Sequence, residues 1–130
     1  MFVPLTIGDF LDRAVAVYGD RTAVHDEPGA PGSLGTLTYA ELGARARGMA
    51  VALDEMGVSH GERVAIVSPN SARFLVSFFG VSAFGRVLVP INFRLGAEEV
   101  RYIVEQHPVL RGDRSEHLVV LRVDQQDRGT

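Results

Sequence analysis

Two short polar runs carry the side chains of this chain best suited to handling a ligand: Ser68-Pro69-Asn70-Ser71 and, further on, Pro90-Ile91-Asn92-Phe93-Arg94-Leu95. The carboxamides and hydroxyls supply neutral donors and acceptors, and Arg94 adds a planar cation that can grip a phosphate or carboxylate through paired N–H groups. This is binding chemistry rather than bond-making chemistry. The chain has no cysteine, so it offers no thiol nucleophile, and all thirteen basic residues are Arg, so it offers no mobile ammonium group. His25, His60, His107 and His117 are scattered without ligand spacing, and no metal site is expected. Each binding candidate also has a structural use. Asn92 can fix its own turn through its side chain, Asn70 or Ser71 can cap a helix, and Arg94 can bond a neighbouring carbonyl.

The elements around these residues decide whether they can meet. Arg63 to Val67 and Arg86 to Val89 are short runs rich in β-branched residues, and the apolar segment from Phe74 towards Gly85 between them has helical character. A strand, a helix and a second strand favour parallel pairing with a right-handed crossover. The ends of both strands then lie on one edge of the sheet, where open α/β sheets place ligands.

The rest of the chain supplies the packing. Thr6 with Asp9, and Thr38 with Glu41, have the reciprocal capping spacing that starts a helix. The first helix should bury Ile7, Phe10, Leu11, Ala14 and Val15 and end by Gly19. The second should bury Leu42, Ala46, Met49, Ala50 and Leu53 and stop at Gly57. Thr22-Ala23-Val24-His25 and Leu34 to Thr38 read as a hairpin around a Pro/Gly loop. Gly29, Gly32 and Gly35 in that loop lack the spacing of a dinucleotide fingerprint. A further helix from about Ala97 to Glu105 points Val100, Ile103 and Val104 inward, Pro108 stops it, and 117–123 reads as one more strand.

Composition narrows the class. A chain of 130 residues with 46% hydrophobic content can bury roughly two-thirds of its unfolded surface. A net charge of -3 with mixed signs provides neither a basic stripe for nucleic acid nor a polybasic membrane anchor. The greasiest run, Phe74 to Phe84, is too short for the roughly twenty residues of a membrane span. The amino terminus lacks the charged and apolar regions of a secretory signal, which makes the cytoplasm the expected location.

Taken together, Leu37-Thr38-Tyr39-Ala40-Glu41-Leu42, Gly61-Glu62-Arg63-Val64-Ala65-Ile66, Pro69-Asn70-Ser71 and Phe84-Gly85-Arg86-Val87-Leu88-Val89-Pro90-Ile91-Asn92-Phe93-Arg94-Leu95 resemble the amino-terminal part of an adenylate-forming (AMP-binding) enzyme. The resemblance is to acyl-CoA synthetases of the fatty-acid CoA ligase type and runs from about Thr6 to Gln106. It implies an α/β fold, part of the amino-terminal domain of that superfamily, with helices packed on a mostly parallel sheet plus a short hairpin. It also implies a reaction in which a carboxylate and ATP form an acyl-adenylate and pyrophosphate, and coenzyme A then displaces AMP. ATP, Mg2+ and CoA are thereby implied for the full-length family, with no cofactor held within this chain.

The family's phosphate loop and its assisting lysines have no match here, so no catalytic residue and no metal ligand is assigned. Arg94 matches a loop near coenzyme A in related enzymes, and Asn92 lies beside it. These two are the expected CoA-side contacts. The resemblance lapses after Gln106, so 1–107 is read as the synthetase-like segment and 108–130 as a divergent tail with one strand. Arg111-Gly112-Asp113 in that tail is a chance tripeptide. The resulting expectation is a fragment or truncated relative of an ATP-dependent acid–CoA ligase, inactive alone. The alternative is a non-catalytic CoA- or nucleotide-binding or protein-interaction module. Small-molecule ligands are the expected partners, with no nucleic acid and no transmembrane segment. Self-association or docking onto another ligase chain, through the face around Phe74 to Phe79, is the remaining possibility.

Overall fold

The computed structural model describes residues 5–106 and 119–122. Readings that fall on Met1 to Pro4, on the stop at Pro108, on the tripeptide at 111–113 and on the ends of the 117–123 strand lie outside the described residues. Along the chain run α1 (Ile7–Tyr18), β1 (Thr22–His25), β2 (Thr36–Thr38), α2 (Tyr39–Glu55), β3 (Arg63–Val67), α3 (Ala72–Ser82), β4 (Val87–Ile91), α4 (Ala97–Gln106) and β5 (Val119–Arg122). The architecture is α/β: β1 and β2 form an antiparallel hairpin, and β4-β3-β5 form a parallel sheet.

The helix starts follow from local chemistry. Thr6 accepts from the Asp9 N–H while the Asp9 carboxylate accepts from the Thr6 N–H, and Thr38 and Glu41 do the same at α2. Each pair satisfies two donors that a helix start leaves without partners. Gly57 adopts a φ of 79° just beyond α2, a left-handed turn that costs other residues more.

The core is built on both faces of the parallel sheet. Val64 and Ile66 of β3 meet Leu53, Val58 and Val81 on one side. On the other, Ala65, Val67 and Ile91 meet Val100, Ile103 and Val104 of α4. A parallel sheet needs both faces covered, and β3 accordingly reads as a continuous apolar run. Pro90 has no N–H to give, and it pairs with Ile66 in the outer strand of the described sheet, where that loss is tolerated. Gly80 lets α2 and α3 approach closely: a Cβ there would stand 2.9 Å from the Met49 Cβ and 3.0 Å from the Ala46 carbonyl.

Several expectations are corrected in detail. The second arm of the hairpin is shorter than Leu34 to Thr38, β4 reaches Ile91 rather than ending at Val89, and α3 ends at Ser82 rather than running to Gly85. On α1 only Leu11 is fully buried, with Val15 packed beside it, while Phe10 is 62% exposed. The helix rests on α2 and α3 through the Leu11–Val15 stripe, and Phe10 falls on its flank. The face from Phe74 to Phe79 is half-buried or buried. Phe74 packs into the sheet-side core and Leu75, Val76 and Phe79 into the core beneath α1.

Arg86 was expected only to begin a strand, yet it is a buried cation. Its side chain is 1% exposed, its Nε and Nη2 donate to the Val58 carbonyl at 2.9 and 2.6 Å, and Nη2 also meets the Asp54 carboxylate. The guanidinium thereby ties the loop after α2 to the start of β4. Among the described residues no buried side-chain polar atom lacks a partner.

Candidate functional site

The parallel register of β3 on β4 brings Val67 opposite Ile91, so the two strands end level with each other. Beyond those ends lies a cleft of about 540 Å3. Ser68, Pro69 and Asn70 wall it on the β3 side, Pro90 to Arg94 on the β4 side, and Phe74 of α3 between them. The two polar runs singled out in the sequence therefore meet, at the edge expected of an open α/β sheet.

The side chains divide between structural and unspent roles. Ser71, not Asn70, caps α3, its Oγ accepting from the Phe74 N–H at 3.3 Å. Ser68 Oγ donates to the Pro69 carbonyl at 2.9 Å. Asn92 uses its side-chain oxygen to accept the Arg94 N–H at 3.0 Å, and its backbone carbonyl accepts the Leu95 N–H at 3.2 Å, which sets the turn after β4. The turn reading of Asn92 thus holds for its oxygen, while its NH2 group has no partner among the described residues. The Asn70 carboxamide, also exposed, has none either.

Arg94 is exposed at the cleft, and its guanidinium carbon lies 5.6 Å from the centre of the Phe93 ring. Stacking of this kind holds the fork without consuming its N–H groups. Among the described residues no carboxylate pairs with Arg94, and none lines the cleft. One cation and two sets of carboxamide groups without a counter-anion favour a ligand with negative charge. His25 bonds Thr36 across the hairpin, and His60 packs by Gly85, so neither histidine is near this cleft's lining. Among the described residues no three His, Asp or Glu side chains gather where they could hold a metal ion. No helix among those residues is long and apolar enough to cross a membrane.

Asp26 was missed in the sequence. It follows β1 and is buried, its Oδ2 accepting the Leu34 N–H at 2.9 Å and its Oδ1 accepting the Ala72 N–H at 3.1 Å. The bond from Leu34 first, with those from Ala72, Glu27 and Ser33, holds its carboxyl below the ordinary carboxylate range, against the opposing effect of burial. Asp-Glu-Pro-Gly after a strand signals a turn, but nothing local reveals a partner across the fold.

A parallel α/β sheet with a cleft at the carboxyl ends of its strands is the arrangement in which open α/β domains hold ligands. Residues 11–109 match the AMP-binding enzyme family, and this chain belongs to that family. Over 68 residues it is 44% identical to the long-chain-fatty-acid–CoA ligase FadD13 of Mycobacterium tuberculosis, an alignment covering 52% of this chain and 14% of that protein. Over 100 residues it is 38% identical to a long-chain-fatty-acid–CoA ligase of Thermus thermophilus, covering 77% of this chain and 18% of the relative. The crystal structure of the N-terminal domain of FACL13 from Mycobacterium tuberculosis superposes with a TM-score of 0.70 at 29% identity, over 90% of this chain and 34% of that one. The chain thus spans less than a fifth of the length of these curated relatives.

Proposed function

We propose that this chain is the CoA-side portion of an ATP-dependent acid–CoA ligase: it contributes a binding wall and no catalytic group. The observation that carries the reading is the Arg94 guanidinium at a cleft where, among the described residues, no carboxylate pairs with it or lines the walls. A phosphate of coenzyme A would take paired N–H groups from Arg94, with the Asn92 NH2 group beside it. The acid, activated as its adenylate elsewhere, would receive the thiol of CoA there.

Among the described residues no side chain is placed to perform those steps. The chain has no lysine to offer a mobile ammonium, and its described residues contain no carboxylate set fitting Mg2+. Residues 1–107 then act as the ligase-like unit, with 108–130 a divergent tail whose strand β5 extends the same sheet along β3. This reading also places the chain in the cytoplasm, where ATP and CoA are found.

The test is a coupled AMP assay of the purified chain with ATP, Mg2+, CoA and a panel of carboxylic acids. No AMP above the protein-free rate is expected. AMP release proportional to protein concentration would overturn the claim that the chain lacks a catalytic group. The alternative of a stand-alone CoA- or nucleotide-binding module is favoured by the same guanidinium. It differs in requiring tight binding by the isolated chain without any ligase partner.

A further inference from the structure

The loop between β1 and β2 is fastened to the first turn of α3 at two points. The Asp26 carboxylate bridges the Leu34 N–H within the loop and the Ala72 N–H of the helix, and Arg73 Nε donates to the Gly32 carbonyl at 2.6 Å. Between loop and helix lies a second cavity of about 110 Å3. Pro69 and Asn70 line this cavity and also line the larger cleft, so they form a partition with the loop on one side and the proposed ligand site on the other.

That partition has little to hold it from within. Pro69 has no N–H, and among the described residues the Asn70 side chain has no partner and the Ser68 hydroxyl bonds only the adjoining Pro69 carbonyl. Its position is therefore set largely by what fixes the residues just beyond it. Ser71 caps the Phe74 N–H from inside the segment, whereas Asp26 secures Ala72 from outside it.

We propose that Asp26 is a positioning residue for the cleft: by pinning the hairpin loop to the start of α3 it holds the Pro69–Asn70 partition, and with it the Asn70 carboxamide, in the orientation that receives CoA. This rests on the reading that the cleft takes CoA. Asp26→Asn keeps the size of the side chain but places an NH2 group where one of two backbone N–H donors needs an acceptor. Whichever donor keeps the remaining oxygen, the bridge from Leu34 to Ala72 is broken while the Ser71 cap and the sheet remain, so the fold should survive.

The test is calorimetric titration with CoA at 10 °C on proteins whose folding is first checked by circular dichroism, so that a loss of global stability alone leaves Kd unchanged. Asp26→Asn is expected to weaken CoA roughly three- to tenfold and to shift the NMR signals of the Asn70 side-chain amide. Thr38→Ala, which removes a cap on α2 away from the cleft, should do neither. Should Asp26→Asn fail to fold, Arg73→Ala cuts the other tie and should weaken CoA in the same sense. Wild-type affinity in Asp26→Asn, or in Arg73→Ala where it stands in, overturns the proposal, as does equal weakening in Thr38→Ala. If wild type binds CoA and Arg94→Ala loses it while Asp26→Asn does not, only the positioning role fails. A flat wild-type titration removes the CoA reading and this role with it.

Discussion

Replacing Arg86 should be among the most damaging single changes in the chain, and the partners of the guanidinium set the size of the effect. Its Nε and Nη2 both donate to the Val58 carbonyl, and a hydrogen bond from a charged donor contributes about 1.5–3 kcal/mol net. Because the two bonds share one acceptor, they should sum to about 3 kcal/mol rather than double the single value. The third partner, Asp54, is 68% exposed, so that ion pair adds only about 0.2–1 kcal/mol. Arg86→Ala should therefore cost about 3–4 kcal/mol, a large part of the roughly 5–15 kcal/mol that holds a domain folded. Arg86→Lys keeps the charge but cannot aim two N–H groups at one carbonyl, and should cost about 1.5–2 kcal/mol. Asp54→Ala should cost less than about 1 kcal/mol. Urea unfolding followed by circular dichroism measures all three, with midpoints shifting at constant slope. An Arg86→Ala protein within 1 kcal/mol of wild type, or an Asp54→Ala protein as unstable as Arg86→Ala, would refute the assignment of Arg86 as the tie between the α2 loop and β4.

Two further outcomes follow from packing and from titration. Gly80→Val should destabilise by about 3 kcal/mol or more, because even its Cβ would crowd Met49 and the Ala46 carbonyl; a melting temperature equal to wild type would show that α2 and α3 are not that close. The carboxyl of Asp26 is held below its ordinary value near 3.8 by its backbone hydrogen bonds, so its stabilising contribution is complete above that pH and is lost as pH falls through the lower folded value. The exposed Asp9, held down by Thr6, acts in the same sense. Urea midpoints should therefore fall on acidification below about pH 4, less steeply in Asp26→Asn than in wild type. Identical acid limbs in the two proteins would mean that Asp26 is not bonded as described.

Much of the fold was legible because its signals are local or periodic. The two capping boxes need only residues three apart, and the β3-α3-β4 unit announces itself as two β-branched runs around an apolar helix. From that unit alone it followed that Ser68 to Ser71 and Pro90 to Leu95 share an edge. What escaped depends on distance along the chain. The Asp26–Ala72 bond spans 46 residues and the Arg86–Val58 bond 28, and no local pattern links such partners. The Phe74 to Phe79 run reads in sequence as too apolar to stay in water, as the structure bears out, but that its cover comes from α1 and α2 is encoded by no single segment. At Asn92 the turn and ligand readings both have a basis, since the oxygen sets the turn while the residue lines the cleft and its NH2 group has no partner among the described residues.

The most direct test of the central claim, that the cleft at the ends of β3 and β4 receives coenzyme A through Arg94, is calorimetric titration of the intact chain and its Arg94→Ala variant with CoA. Saturable binding by wild type is expected, weakened about tenfold or more in the variant for the loss of a charge-assisted phosphate contact. Indistinguishable titrations of the two proteins, or no heat from wild type at millimolar CoA, would contradict it.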